Sequence, residues 1–305
     1  MMFSIAQSSR QLIQAALLLL MTPLLPAQEA APVPLSEVPR IDWAQHPTWA
    51  DGGAELAVYQ GQGIVGVAPA AQTLQVLTVA EDFNREHNVK ADWPYGEKPI
   101  QPVMKQMLMV GGGDMARNAS VGVFVEREDP ARLVKMTVAN FEWSGITTKE
   151  FDFSARVRQW TWSSPWDGEG SGSESLRGWP REGVFEEQLP MIVRALDLRE
   201  GLQVGMALAP GQMTSRATQP EPSPARMRVQ RPDGEVRVAA GSWPREEVWR
   251  VTIEAADGRS HELIVAEQSP RVLLMWSVND GRQFALQSVT HATVPQILTS
   301  KMVSP

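Results

Sequence analysis

Apolar and polar residues alternate between Glu247 and Ala255, placing Trp249, Val251 and Ile253 on one side and Val248, Arg250, Thr252 and Glu254 on the other. Side chains on a strand repeat every second residue, so this pattern predicts a strand with one core face and one wet face. Strand-length segments rich in Val, Leu and Met recur at Ala54 to Gln60, Thr73 to Ala80, Pro102 to Met109, Val121 to Glu126 and Leu133 to Trp143. Gly, Pro, Asn or Asp separate them, as hairpin connections require. The dipeptides Asp233-Gly234, Asp257-Gly258 and Asp280-Gly281 lie 24 and 23 residues apart, each between two apolar runs. They predict type I′ hairpin turns in a meander of about six strands, with the three turns at one end of the sheet.

Two other patterns interrupt this alternation. From Val184 to Leu198 the residues Val184, Leu189, Ile192, Val193 and Leu196 form an apolar stripe near the helical period, and Gly201 supplies a stop. Pro190 lies inside the stripe, which leaves either a short helix beginning there or a kinked longer one. At the N-terminus, Arg10 precedes an apolar run from Leu12 to Leu25 broken only by Gln14, Thr22 and Pro23, and Leu25-Pro26-Ala27 follows. That run is a secretory signal peptide with cleavage after Ala27, being shorter than the roughly 20 residues that span a bilayer.

The expected organisation is a signal peptide over residues 1–27, a Pro- and Ala-rich tether over 28–42 and an N-terminal β-rich domain over 43–167. A Gly- and Ser-rich linker over 168–183 and a C-terminal helix plus antiparallel meander over 184–300 complete it. The fold class is mostly β: antiparallel sheets and hairpins in two lobes with one short helix. A single large curved β structure is the alternative, because all-β domains of this size are common.

Composition narrows the function. The chain has no cysteine, which excludes thiol catalysis, zinc–cysteine sites and a lipid anchor on an N-terminal cysteine. The net charge of −7 becomes −8 without Arg10, giving no electrostatic reason to bind nucleic acid or anionic lipid. After signal cleavage no stretch reaches transmembrane length, so the expected location is the periplasm, the cell envelope or outside the cell.

Several segments resemble an uncharacterised family of exported bacterial β-rich proteins. The resemblance rests on Val79-Ala80-Glu81-Asp82-Phe83, Val89-Lys90-Ala91-Asp92, Pro102-Val103-Met104-Lys105, Phe141-Glu142-Trp143-Ser144-Gly145 and Asp167-Gly168-Glu169-Gly170. Relatives often carry Cys where this chain has Ser144, and His or Tyr within the stretch aligned with Ser163 to Trp166. The C-terminal part resembles the domain of unknown function numbered 3108 through Ala240-Gly241-Ser242-Trp243, Trp249-Arg250-Val251 and Leu274-Met275-Trp276. These resemblances imply a curved antiparallel sheet and bring no activity.

Candidate chemistry is sparse. Asp167-Gly168-Glu169-Gly170-Ser171-Gly172 alternates oxygens with glycine, but a calcium-binding EF-hand loop needs a bidentate Glu where Gly178 stands, so no metal site is assigned. Carboxylate pairs for acid–base work would come from Glu81 and Asp82, Glu142, or Asp167 and Glu169, with Glu142, Asp167 and Glu169 the catalytic candidates. The histidines His46, His87, His261 and His291 form no metal-binding pair, and no nucleophile elbow is present. Trp160, Trp162 and Trp166 are the ligand-binding candidates, because aromatic faces stack on sugar rings or cover acyl chains. The sequence thus favours non-catalytic binding of an apolar or glycan envelope ligand, or envelope assembly, with no cofactor. An envelope hydrolase using a carboxylate pair and a structural scaffold held to other envelope proteins are the alternatives.

Overall fold

The computed structural model describes residues 31–65, 68–112 and 118–302. The expected signal peptide lies outside the described residues. The described chain is mostly β, as the alternation predicts, with two short α-helices.

The N-terminal strands are β1 (Val33–Pro34), β2 (Gly53–Val65), β3 (Ala68–Asn84), β4 (Val89–Lys90) and β5 (Ile100–Gly111). Next come β6 (Asn118–Glu126), β7 (Asp129–Glu142), β8 (Gly145–Asp152), β9 (Gln159–Ser163), β10 (Ser171–Ser175) and β11 (Gly183–Phe185). Helix α1 (Leu189–Ala195) precedes β12 (Gln203–Ala209), β13 (Ser223–Gln230), β14 (Val236–Val238) and β15 (Gly241–Trp243). The chain closes with β16 (Val248–Ala255), β17 (Ser260–Ala266), β18 (Leu273–Val278), β19 (Gln283–Thr293) and helix α2 (Val294–Met302).

One antiparallel ladder runs β12-β13-β16-β17-β18-β19-β2-β3-β5-β6-β7-β8-β9-β10. β1 and β11 add to β12 in parallel, and β14 and β15 form a separate two-stranded sheet. The joint between the two halves of the chain is the β19–β2 ladder, from Gln283↔Gln62 to Thr293↔Gly53. Each half would otherwise expose an unpaired edge, and pairing removes both. Residues from Pro32 onward form one compact unit, and the sheet runs unbroken across the expected domain boundary.

The remote edges of this ribbon meet through side chains. Phe151 of β8 packs on Phe185 of β11 at 4.9 Å between ring centroids and stacks on Trp160 of β9 at 5.9 Å. The sheet therefore curls, with one large core inside it that includes Leu74, Leu108, Val123, Met136, Phe185, Ile192, Val251 and Leu286. Smaller clusters sit elsewhere: Ala54, Leu56 and Val79 pack with Ile297 of α2, and Phe83 and Val103 pack with Phe124 and Val134.

Three expectations need correction, and the open choice over the stripe from Val184 is decided. The tether is docked from residue 32 on: β1 pairs with Val204 and Gly205, and Leu35, Val38 and Trp43 are buried in the core. Prolines there exclude helix but not burial, and short 3₁₀ turns carry the chain inward. The Gly- and Ser-rich stretch 168–183 is not a bare linker, because β10 pairs in register with β9. Of the two readings of the stripe from Val184, the short helix beginning beside Pro190 is the one found, after a strand and a 3₁₀ turn. α1 begins with Leu189 and Pro190, the arrangement that places proline where a helix tolerates it, and ends at Ala195, well before Gly201.

The Asp-Gly turns are the third correction. Asp257-Gly258 and Asp280-Gly281 do make hairpins, between β16 and β17 and between β18 and β19. A type I′ turn needs positive φ at both central residues, and here only the glycines have it, at 91° and 102°. Gly258 N–H donates to Ala255 O and Ala255 N–H to Arg259 O, which is a three-residue loop with glycine in the left-handed position. Gly281 and Val278 repeat this with Arg282. Asp233-Gly234 lies at the other end of the sheet and leads into β14 rather than closing a two-residue hairpin.

Candidate functional site

Register brings the apolar wall of a cavity together from distant segments. Leu74 on β3, Val110 on β5 and Ala119 on β6 are cross-strand neighbours, Leu74↔Val110 and Val110↔Ala119, and therefore share a face. Trp276 on β18 and Phe284 on β19 are likewise register partners. These residues, with Met213 and Val278, line a cavity of about 300 Å³.

Its polar end is built by the two Asp-Gly-Arg turns and by the turn after β11. Asn279 ties the hairpins side by side, accepting from Ser260 N–H at 3.0 Å and donating to Gly258 O at 2.8 Å. Arg259 and Arg282 follow the turn glycines, and both line the cavity with Asp280 and Glu186. Each arginine is oriented by the aspartate of its own turn: Arg259 Nε to Asp257 at 3.0 Å, Arg282 Nε to Asp280 at 2.8 Å. Arg282 Nη1 also donates to Glu186 Oε1 at 2.5 Å. Burial works against the Arg282 charge, but Glu186 and Asp280 outweigh it and raise its pKa.

Glu186, Glu187 and Gln188 are buried although charged or polar, because the 3₁₀ turn Glu186–Gln188 turns them inward. Gln188 is satisfied, accepting from Phe185 N–H at 2.9 Å and donating to Pro130 O at 3.1 Å. Glu187 Oε1 accepts from the backbone N–H groups of Gln212 and Met213. Burial, then the neighbouring Glu186 charge, push the Glu187 carboxyl up to about 7. His261, also buried, lies 3.7 Å from Glu186 Oε2, too far for a hydrogen bond, and burial lowers its pKa against the pull of Glu186.

A strap from Pro210 to Ala217 crosses the site, and Pro210, Gly211, Met213 and Thr214 line the cavity. Lys149, buried on β8, pins it by donating to Gln212 O at 2.9 Å and Thr214 Oγ1 at 3.1 Å. Burial lowers the Lys149 pKa to about 8, with Glu187 and Glu169 opposing. Gly211 rests on Glu186: a Cβ there would lie 3.0 Å from the carboxylate carbon and from both oxygens.

Several buried polar atoms of this region have no hydrogen-bond partner: Glu186 Oε2, Glu187 Oε2, Trp276 Nε1, Arg259 Nη1, Gln212 Oε1 and both His261 ring nitrogens. Buried polar atoms are nearly always satisfied in folded proteins, by protein groups or by ordered water, and unpartnered ones occur elsewhere in the chain too, at Gln106, Asn140, Trp160 and Trp249.

The sequence candidates lie mostly elsewhere. Trp160 is buried between Phe151 and Trp162, with the two indoles stacked at 4.2 Å. Trp162 donates to Glu169 O at 3.1 Å, and β10 covers it, a Cβ on Gly172 falling 2.4 Å from its ring. Trp166 lies under Arg216, 3.9 Å from ring centroid to guanidinium. Glu169 accepts from Ser164 Oγ at 2.6 Å, Ala217 N–H at 2.9 Å and Arg216 at 3.3 Å, fastening the far end of the strap. Asp167 is exposed, and Glu142 accepts from Ser144 Oγ at 3.1 Å. Glu81 meets Lys90 and Lys105, while Asp82 accepts from Tyr95 Oη at 2.7 Å. None of these residues lines the cavity of Trp276 and Glu186. Among the described residues no group of three His, Asp or Glu side chains is placed to hold a metal ion, and no helix is long and apolar enough to cross a membrane.

No family model matches the chain, and no curated protein does. Among solved structures, the chain is similar to a β-barrel-like protein of the domain of unknown function DUF1849 from Brucella abortus. The match has a TM-score of 0.40 at 8% identity and covers 78% of this chain and 97% of that one.

Proposed function

We propose that the protein is a non-catalytic binder that holds a small apolar or glycan ligand in the cavity between Leu74, Val110 and Trp276, and that it does so as an exported protein of the cell envelope. The observation that carries this reading is the cavity itself, an apolar space of about 300 Å³ closed at one end by Glu186, Arg259, Asp280 and Arg282. Concave apolar sites with a few polar groups are the ordinary form of small-ligand sites, and this volume is at their small end. Holding is favoured over chemistry because both cavity carboxylates, Glu186 and Asp280, are tied to Arg282. Export and the envelope location rest on the apolar run from Leu12 to Leu25 and on the resemblance of Val79 to Gly170 to exported β-rich proteins.

Native mass spectrometry of the protein purified without detergent from its own cells tests this reading. An added mass of lipid or glycan size, released on denaturation and reduced in Met213→Trp, which puts a larger side chain into the cavity wall, is the expected result. A bare protein mass, or an added mass that Met213→Trp leaves in place, overturns it.

A further inference from the structure

A second cavity, of about 380 Å³, lies where the docked N-terminal segment meets β7 and the chain between β8 and β11, and it shares no lining residue with the cavity of Trp276. Arg158 in its wall is half-buried and fixed from three directions. Its carbonyl accepts from Leu176 N–H at 2.9 Å, its Nη1 donates to Trp179 O at 3.2 Å, and its guanidinium lies over the Phe153 ring at 5.2 Å. Phe153 is held in turn, edge-on to Trp179 at 5.1 Å. Arg158 Nε and Nη2 have no hydrogen-bond partner among the described residues, and neither is shut off from solvent. Those two nitrogens form one edge of the guanidinium, the fork that takes a carboxylate by two parallel hydrogen bonds.

No acid of the cavity is left for that edge. Both oxygens of Glu182 accept from Ser36, through N–H and Oγ at 2.7 Å, while Asp129 is paired with Arg40 at 2.9 Å and Glu126 with Arg132 at 3.0 Å. Arg181 reaches only Glu182, at 3.8 Å. The lining arginines Arg132, Arg158 and Arg181, together with Arg40, therefore outnumber the three carboxylates by one, although the chain as a whole is acidic. Burial, then the like charge of Arg132, lower the Arg158 pKa, yet a guanidinium keeps its proton and waits for an anion. One negative charge balances the cavity, whereas a phosphate monoester, at about −1.5 to −2, overshoots. Leu133, Phe153 and Trp179 supply apolar wall for a hydrocarbon body. We infer that this cavity binds a small monocarboxylate with an apolar body, its carboxylate seated on the Nε–Nη2 edge of Arg158.

Isothermal calorimetry of the purified full chain tests this with phenylacetate, its neutral amide phenylacetamide, acetyl-alanyl-phenylalanine with a free C-terminus, and inorganic phosphate. Saturable binding of phenylacetate or of the peptide acid is expected, the tighter of the two telling a free acid from a chain terminus, with phenylacetamide weaker by about tenfold or more than phenylacetate. Arg158→Lys, which keeps the charge and loses the fork, should weaken the acid about tenfold, and Met213→Trp in the other cavity should leave it unchanged. The comparison of acid with amide needs no variant, so it decides the matter should Arg158→Lys fail to fold. Equal binding of phenylacetate and its amide, phosphate bound more tightly than either acid, or neither acid bound overturns the inference. Acid binding that Arg158→Lys leaves unchanged, or that Met213→Trp abolishes, places the carboxylate elsewhere and overturns it too.

Discussion

Arg194 on α1 and Glu55 on β2 meet in a two-pronged ion pair, Nη1 to Oε1 and Nη2 to Oε2, both at 2.8 Å, with each side chain almost wholly shielded from solvent. Trp43 and Trp49 both lie against the guanidinium, and its Nε and Nη2 also donate to Pro270 O. The pair locks α1, the docked N-terminal segment and β2 to the 267–272 turn. Replacing one partner strands the other charge in the interior.

Arg194→Met should therefore cost about 3–5 kcal/mol in urea unfolding, and Arg194→Met with Glu55→Met should cost less than the sum of the two single variants. Burial pushes the Glu55 carboxyl up, but the Arg194 charge and hydrogen bonds from His291 and Arg194 outweigh it, so its pKa is below the usual value. A depressed carboxyl gives stability that is present above its unfolded pKa and is lost as pH falls through the folded one. The unfolding midpoint should drop with acidification below the ordinary carboxylate range, and Glu55→Gln should flatten that drop. A Glu55→Gln curve parallel to the parent's would refute the assignment.

Leu35 gives the sharpest contrast between a tether and a structural segment. It is 1% exposed and belongs to the main core. Leu35→Ala should destabilise by about 2–5 kcal/mol, as large-to-small changes in cores do. A free tether would show no change in thermal midpoint.

The strands and two of the hairpins were legible because their signals are local: alternation at Trp249, Val251 and Ile253, and glycine at Gly258 and Gly281. What escaped was non-local. Pro32, Pro34 and Pro39 signal irregular chain, yet nothing nearby says that Val33 and Trp43 find partners as far away as Val204 and Pro270. The pairing of β19 with β2 joins residues at opposite ends of the chain, so a boundary near Gly168 looked natural.

The cavity escaped for the same reason, its lining running from Gln72 to Phe284. Two signals did point to it. Asp257-Gly258-Arg259 and Asp280-Gly281-Arg282 repeat an arginine after each turn, and Glu186-Glu187-Gln188 breaks an otherwise apolar stripe. Neither has meaning until the fold sets the two turns side by side above the buried glutamates.

Glu187 makes a pH prediction of opposite sign to Glu55. Its pKa is raised, to about 7, so its favourable contribution is fully present below its unfolded pKa and is lost as pH rises through the folded value. Stability should therefore decline between about pH 4.5 and 7 from this group. Glu187→Gln, which can still accept from Gln212 and Met213, should be more stable than the parent at pH 8 and nearly equal to it at pH 4. Equal stability of the two proteins at pH 8 would remove the buried charge from the account.

Gly211 tests whether the strap and the Glu186 carboxylate are mechanically one unit. A methyl group there meets the carboxylate carbon and both oxygens at 3.0 Å, closer than ordinary contact, while Arg282 holds that carboxylate from the other side. The strap cannot retreat freely, because Lys149 and Glu187 grip Gln212 and Glu169 grips Ala217. Gly211→Ala should cost about 1–3 kcal/mol as an overpacked site and weaken ligand binding in the cavity. Gly234 is the control, since nothing lies within 4 Å of a Cβ there and its φ is not in the left-handed region. Gly234→Ala should be neutral or stabilise by up to about 1 kcal/mol through the unfolded chain, with binding unchanged. If the two alanine variants unfold at the same urea concentration, the strap yields to the methyl and the Glu186 carboxylate is not held against it.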